Sequence, residues 1–320
     1  MQYDRLGFPI PKEFEPAAER ARTAGNAGRL PPGFDVEPRD PSAPGPFRRF
    51  FLLGVLLLGV LPVLLLPKIL PVVRREIVDG AIRQAMVDEG RADVAGAARQ
   101  VGRALAWVDG DADQQHALLC WRSALRLQDG DARGAITDAT AAAVVAPTSA
   151  RPLRTRAIAR VVAGDVDAAL ADAEAALALD GDASPEALNH RAYIRALVGR
   201  ELPAALADIE RAMEGGDAES PEFLDTRGFI LHLLGRQHEA IDDLNRAIAG
   251  TQQTRRRVLA EVGGADPAFG AWRLRPVEHA LAVMHQHRAL ACRAAGLAAQ
   301  ADQDFAIAAR KGFAPDRGVL

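Results

Sequence analysis

The 320-residue sequence is poor in cysteine and in aromatic residues, and both shortages restrict what the protein can be. The two cysteines, Cys120 and Cys292, lie far apart without CxxC spacing, which excludes a disulfide framework and a thiolate zinc site. Aromatic residues make up 5% of the chain and hydrophobic residues 49%, so the apolar content is mainly alanine, leucine and valine. Alanine and leucine are strong helix formers, and the composition therefore predicts an all-α protein.

The sequence also lacks an excess of charge and the common catalytic motifs. Its formal net charge of -3 gives no global reason to expect nucleic-acid binding. It contains no Walker loop, no GxSxG or HExxH motif, and no GxGxxG loop after a strand. The histidines are not spaced as ligands on one helix face; His232 and His238, for example, are six residues apart. We therefore predict no catalytic residue, metal site, cofactor or small-molecule substrate.

The first 73 residues divide into a proline-rich tail and an apolar run. Residues 1–47 carry little apolar sequence and many prolines, which predicts a disordered tail. From Phe50 to Pro67 the chain has 18 residues without a charge, enough to cross the ~30 Å hydrocarbon core of a bilayer as a helix. A buried soluble helix fits the segment poorly because it is apolar all round. A cleaved signal peptide also fits poorly because the preceding tail is long and no A-x-A cleavage site follows. The sequence therefore predicts a single transmembrane helix at 48–73.

The charges that flank this segment suggest an orientation. Arg48 and Arg49 directly precede the apolar run, as in an uncleaved signal anchor, although positive residues on its two sides are nearly balanced. We expect a location in the cell inner membrane with the N-terminus in the cytoplasm. The remainder of the chain then lies outside the cytoplasm.

Glycine-containing turns recur along the chain after residue 74. Each turn glycine follows a helical stretch and precedes a second one, so each unit reads as a helix pair. The first three intervals between these glycines are 34, 35 and 36 residues, and the fourth is 61 because of an insertion at 249–276. The five turn glycines are Gly130, Gly164, Gly199, Gly235 and Gly296.

The repeated unit resembles the tetratricopeptide-repeat family, whose signature places small and apolar residues at fixed offsets in 34 residues. In the fourth unit the matching residues are Leu224, Gly228, Leu231, Ala240 and Leu244. The resemblance covers about residues 113–311 and implies a right-handed α-solenoid of five repeats over 113–320. Residues 74–112 are predicted to form a helical linker or a degenerate further repeat.

Each unit also carries an arginine on its first helix and an aspartate on its second. They are sixteen residues apart in four units and seventeen apart in the third, which has an extra turn residue. This constant spacing favours an ion pair that joins the two helices over an arginine ladder that binds a ligand. The predicted pairs are Arg122–Asp138, Arg156–Asp172, Arg191–Asp208, Arg227–Asp243 and Arg288–Asp304.

In the tetratricopeptide-repeat family the first helices line a concave groove that accepts a peptide, and the resemblance implies such a groove here. The groove positions that it implies are Arg154, Ile158, Asn189, Tyr193, Asp225, Phe229, His232, Gln286 and Leu290. Tyr193 and Phe229 are the two Tyr or Phe residues of this set, and exposed aromatics often anchor partners. Packing against the next repeat is the alternative role for each residue. The set that clamps a peptide carboxylate in some relatives is not reproduced beyond Asn189.

Together these features indicate a single-pass membrane protein whose helical repeats bind a protein or peptide partner. One alternative is a structural tether or assembly factor within a membrane complex. Another is an enzyme whose site is built on the 249–276 insertion, a turn-rich segment that contains Trp272. The insertion could cap the solenoid or contact a partner.

Overall fold

A computed structural model describes residues 54–55, 61–181 and 183–313 of the chain. The chain divides into two compact units, Met1–Leu66 and Pro67–Leu320. Over the described residues twelve helices are delimited and no strand occurs, so the all-α prediction is confirmed there. The helices are α1 (Leu61–Gly90), α2 (Val94–Leu105), α3 (Ala112–Gln128), α4 (Ala132–Val145), α5 (Arg151–Ala163), α6 (Val166–Asp180), α7 (Pro185–Val198), α8 (Leu202–Gly215), α9 (Pro221–Leu233), α10 (Gln237–Glu261), α11 (Pro267–Ala294) and α12 (Ala298–Arg310).

The predicted tail at 1–47 lies outside the described residues, and so does much of the predicted transmembrane segment at 48–73. In the part of the chain that is described, none of the helices has both the length and the apolar character needed to span a membrane. The later part of α1 and α2, which cover most of 74–112, share an apolar cluster with the first repeat. Val78 and Ala85 of α1 and Val101 of α2 pack there with Leu118 and Leu125 of α3.

The helices from α3 to α12 form five successive pairs, and small residues allow the two helices of each pair to approach closely. The first helices contribute Ser123, Ala157, Ala192, Gly228 and Ala289, and the second helices contribute Ala135, Ala169, Ala205, Ala240 and Ala301, all of them buried. A Cβ on Gly228 would lie 2.7 Å from Cγ of Leu244 and 3.2 Å from the carbonyl oxygen of Ala240. A larger side chain there would force α9 and α10 apart.

The turn glycines end the first helices of the pairs in a backbone conformation that suits glycine. At Gly164, for example, φ is +82°, a left-handed value that a Cβ disfavours. The backbone N–H of Gly164 donates to the carbonyl of Val161 at 3.0 Å and so satisfies one of the last free acceptors of α5.

The insertion at 249–276 is mainly helical rather than turn-rich, which corrects the expectation from its glycines. It lengthens α10 to 25 residues and α11 to 28 residues, and only a short loop separates the two helices. The carboxylate of Asp266 accepts a hydrogen bond from the backbone N–H of Ala268 at 2.8 Å and starts α11. We refer to residues 267–276, the first turns of α11, as the arm.

The arm contacts the opposite end of the repeat array. The indole N–H of Trp272 donates to the carboxylate of Glu89 at 3.1 Å, across 183 residues of sequence. The indole N–H of Trp121 donates to the same carboxylate oxygen at 3.0 Å. The guanidinium of Arg275 donates to the carbonyl of Glu89 at 2.8 Å and to the side chain of Gln128 at 3.1 Å. The insertion therefore closes the array onto its own N-terminal end.

Candidate functional site

A cavity of about 690 Å³ is lined by the first helices of successive repeats. Arg154 of α5, Asn189 of α7 and Asp225 of α9 occupy the same position in their repeats, two residues before the arginine of the ion pair. Because the repeats stack with the same orientation, equivalent positions of their first helices face the same side. Met284 and His279 of α11, just after the arm, form another wall.

Three residues that line this cavity each carry a buried polar atom without a hydrogen-bond partner. These atoms are Nε of Arg154, Oδ1 of Asn189 and Nε2 of His190, and they are the unsatisfied buried side-chain atoms found across the described residues. Leaving a buried donor or acceptor unpaired costs about 1–3 kcal/mol. Three such atoms on the lining residues of one cavity make it the candidate site for a ligand with both donors and acceptors.

Burial controls the protonation of the cavity side chains. Burial, reinforced by the nearby Arg154, lowers the pKa of His190 to about 3, so its imidazole is neutral at neutral pH. Burial, with a smaller contribution from Arg275, also lowers the pKa of His279. The pKa of Tyr193 is raised by burial and by Asp225, so this side chain remains a neutral phenol. The side chains of His190 and Tyr193 are thus neutral hydrogen-bonding groups at neutral pH.

An aromatic cluster lies beside the cavity and holds three repeats together. The ring of Phe229 stacks on His287 with centroids 4.1 Å apart and planes inclined by 13°. The ring of Tyr193 packs edge-on against the same imidazole, with the two ring centroids 6.3 Å apart. His287 Nδ1 lies 2.9 Å from Oδ1 of Asp225, so the carboxylate that was predicted to face a partner has an internal one.

The structure divides the predicted groove residues into two groups. Those that line the cavity are Arg154, Asn189, Tyr193 and Asp225. Those that do not line it are Ile158, Phe229, His232, Gln286 and Leu290. His232 has its Nδ1 2.8 Å from the side-chain oxygen of Gln237, and Ile158 packs on the apolar cores of two repeats. Within the second group, Ile158 and Phe229 therefore make packing contacts between repeats.

Other cavity residues have no distinctive pattern in the sequence. His190 is adjacent to Asn189, and a helix turns by 100° per residue, so the repeat alignment alone does not place both in one wall. Thr226, His279 and Met284 line the cavity as well. Only the position of α11, which depends on the long insertion, brings the last two to the site.

All five predicted arginine and aspartate pairs are in contact. In each, Nε and Nη2 of the arginine donate to the two carboxylate oxygens over 2.6 to 2.8 Å. The five aspartates are almost fully buried, and none of the ten residues lines the cavity. Burial alone would raise the pKa of Asp304, but hydrogen bonds from Arg288 and His285 lower it overall. The pairs therefore belong to the framework rather than to the site.

Comparison with known proteins gives similarity at the level of solved structures. No protein-family model and no curated protein matches the chain. It is similar to a tetratricopeptide repeat protein from Parabacteroides merdae, with 18% identity over 74% of this chain and 94% of that one, and a TM-score of 0.43. It is also similar to the MamA protein, with 17% identity over 62% and 92% of the two chains and a TM-score of 0.35. A third similar structure is the APC/C hetero-tetramer Cut9-Hcn1, with 15% identity over 76% and 45% and a TM-score of 0.45.

Proposed function

We propose that the chain is a membrane-anchored interaction scaffold whose repeat cavity binds a polypeptide segment. The observation that carries this proposal is the set of unpaired buried atoms of Arg154, Asn189 and His190 in one cavity. A polypeptide backbone offers a donor and an acceptor at nearly every residue, and such a ligand matches a wall that holds both. In this proposal the chain has no catalytic role and needs no cofactor.

Anchoring by residues 48–73 is part of the proposal and is supported by the surface of α1. Ile69, Val72 and Val73 are 50%, 67% and 43% exposed, although they are apolar and follow directly on the apolar run. Exposed apolar side chains are favourable in contact with lipid and unfavourable in water. We place the span in the cell inner membrane with the N-terminus in the cytoplasm, so that the repeats lie on the other side.

Site-specific crosslinking in intact membranes tests the proposed function. A photo-crosslinking amino acid replaces Glu222, an exposed residue at the cavity, and in a control it replaces Gln303, an exposed residue of α12. We expect a discrete polypeptide adduct at position 222 and none at position 303. Adding Asn189→Leu removes one unpaired acceptor and should lower the adduct yield about tenfold, in line with the loss of a buried hydrogen bond.

The products are resolved by gel shift and identified by mass spectrometry. The absence of an adduct at position 222, or equal adducts at both positions, would contradict a polypeptide site in the cavity. An adduct whose yield does not respond to Asn189→Leu would place the partner on the rim and not within the cavity.

A further inference from the structure

We infer that the cavity selects a polypeptide segment with positive charge, an inference that rests on the proposed function and specifies its partner. The first observation is the charge of the cavity mouth. Glu186 begins α7, Asp217 lies in the loop between α8 and α9, and Glu222 begins α9; all three are exposed and line the cavity. Three exposed carboxylates, from two neighbouring repeats and the loop between them, therefore line one cavity.

These three carboxylates have only neutral partners among the described residues. Glu186 accepts from the hydroxyl of Ser184 at 3.5 Å, and Glu222 accepts from the hydroxyl of Ser220 at 2.8 Å. Asp217 accepts from the backbone N–H of Glu219 at 2.9 Å. Each carboxylate thus has no cationic partner among the described residues and keeps free lone pairs for a ligand. In this respect the three carboxylates differ from the aspartates of the repeat ion pairs, each of which is paired with an arginine.

The interior does not offset this negative charge. The lining contains four carboxylates, Glu186, Asp217, Glu222 and Asp225, and one guanidinium, Arg154. The guanidinium is itself 3.0 Å from the carboxylate of Asp180, which lies outside the lining. His190 and His279 are neutral at neutral pH because burial lowers the pKa of each. The cavity therefore carries a formal charge of -3 in its lining, from four carboxylates minus one guanidinium.

The geometry favours a ligand that donates hydrogen bonds at its charged end. Low-dielectric walls concentrate the field of the rim carboxylates in the opening, which raises the local concentration of cations. A lysine or arginine side chain that enters would be attracted by the exposed carboxylates, and the lining residue Asn189 carries an unpaired acceptor, Oδ1. A segment that ends in a carboxylate, or one rich in Asp and Glu, would be repelled at the same rim. The preferred partner is therefore a Lys- or Arg-bearing segment.

Selection from a random peptide library tests this inference. The full chain, purified in lipid nanodiscs, is used to enrich a phage-displayed library of random twelve-residue peptides. The charge-neutral variant carries Glu186→Gln, Asp217→Asn and Glu222→Gln. The matched control carries Asp113→Asn, Asp129→Asn and Glu214→Gln, which change the net charge equally at exposed positions away from the cavity.

We expect the unaltered chain and the matched control to enrich peptides of positive net charge, and the charge-neutral variant to lose that bias. The best peptide, synthesised with a fluorophore, should bind the charge-neutral variant at least about tenfold more weakly than the unaltered chain in low salt, and the control within about twofold. High salt should reduce the difference because it screens exposed charges.

The possible failures are distinguishable. Enrichment of peptides without a positive bias, or equal weakening in both triple variants, overturns the inference and leaves polypeptide binding in place. Enrichment of no peptide by any of the three chains overturns the proposed function as well. Folding of each variant is verified by its far-ultraviolet circular dichroism, so that a loss of binding is not a loss of structure.

Discussion

At the residue scale, the cavity is lined by polar side chains that each have a buried atom without a hydrogen-bond partner. Arg154, Asn189 and Asp225 could be selected from the sequence because the repeat alignment places them at one position of three first helices. His190 could not, because its role depends on how deeply the neighbouring helices cover it. Helical periodicity indicates which face of a helix is apolar, but it does not indicate how much of that face a distant helix buries.

His190 should make stability depend on pH. Its pKa falls from 6.5 to about 3 on folding, so the unfolded chain binds a proton that the folded chain rejects. Stability is therefore lost as pH falls from about 6.5 towards 3, and this residue contributes a loss of about 2 kcal/mol between pH 7 and pH 5. His279 contributes in the same direction because its pKa is also lowered.

The prediction for His190 is measured by urea denaturation of the chain at pH 7 and pH 5. His190→Gln should reduce the pH-dependent loss by about 2 kcal/mol. His238→Gln, at an exposed position of α10, is the matched control and should behave as the unaltered chain does. Identical pH dependence for all three chains would show that the imidazole of His190 is accessible to protons in the folded state.

At the element scale, each repeat is joined internally by a bidentate ion pair, and the arginine often reaches the preceding repeat as well. Arg191 donates to Glu174 at 2.7 Å, and Arg288 donates to Asn245 at 2.7 Å. Glu174 and Asn245 each lie two residues after the aspartate of the preceding pair. The internal pairs were predictable from their constant spacing. The links between repeats were not, because Glu and Asn share no recognisable pattern.

Loss of the ion-pair arginine should lower the stability of the chain more in the fourth repeat than in the first. In the first repeat Asp138 has a second arginine, Arg126, at 2.8 Å, whereas in the fourth the second arginine of Asp243, Arg246, is 3.4 Å away. Arg227→Ala removes the close partner of a buried carboxylate and should lower the free energy of unfolding by about 3 kcal/mol. Arg122→Ala should cost about half as much, since the remaining arginine still compensates the charge.

Chemical denaturation of the two variants measures this difference in stability. The affinity of the folded variants for a cavity peptide is measured as well. We expect stability to fall while affinity for a cavity peptide stays within about twofold, because neither arginine lines the cavity. Equal stability losses would mean that the second arginine contributes nothing. A larger effect on affinity than on stability would favour a ligand-binding arginine ladder.

At the scale of the whole molecule, the arm determines that the repeat array is closed. Glu89 is 8% exposed and accepts from two indole N–H groups, one from each end of the array. Gly90 is required beside it, because a Cβ there would lie 2.6 Å from the carbonyl oxygen of Ala268. Pro276, the last residue of the arm, lies inside α11, where it removes one backbone hydrogen bond of the helix. The arm and the cavity wall are thus parts of one helix.

Removing the Trp272 side chain should release the arm without unfolding the repeats. Trp272→Ala deletes a hydrogen bond to Glu89 and the packing of a large ring, and should raise the rate of amide hydrogen exchange in 267–276 by about tenfold or more. Exchange in α7 and α9 should change less than about twofold. Trp107→Ala, at a side chain that is 41% exposed, is the control of the same residue type. Unchanged exchange in the arm, or equal changes throughout the chain, would contradict this account of the closure.

The sequence by itself determined the features that rest on local contacts. Helix pairs, left-handed turn glycines, close helix crossings and bidentate ion pairs all involve residues within one repeat, so a fixed spacing reveals them. Only the tertiary structure decided which of the predicted groove residues line the cavity, that the insertion is helical, and that its arm reaches Glu89. Those outcomes depend on contacts between residues far apart in sequence; Arg275 and Glu89, for example, are separated by 186 residues. Such a contact occurs once in the chain, so it cannot be predicted from a repeated spacing. The repeat period therefore predicts the framework, whereas the contacts of the single insertion could be read only from the structure.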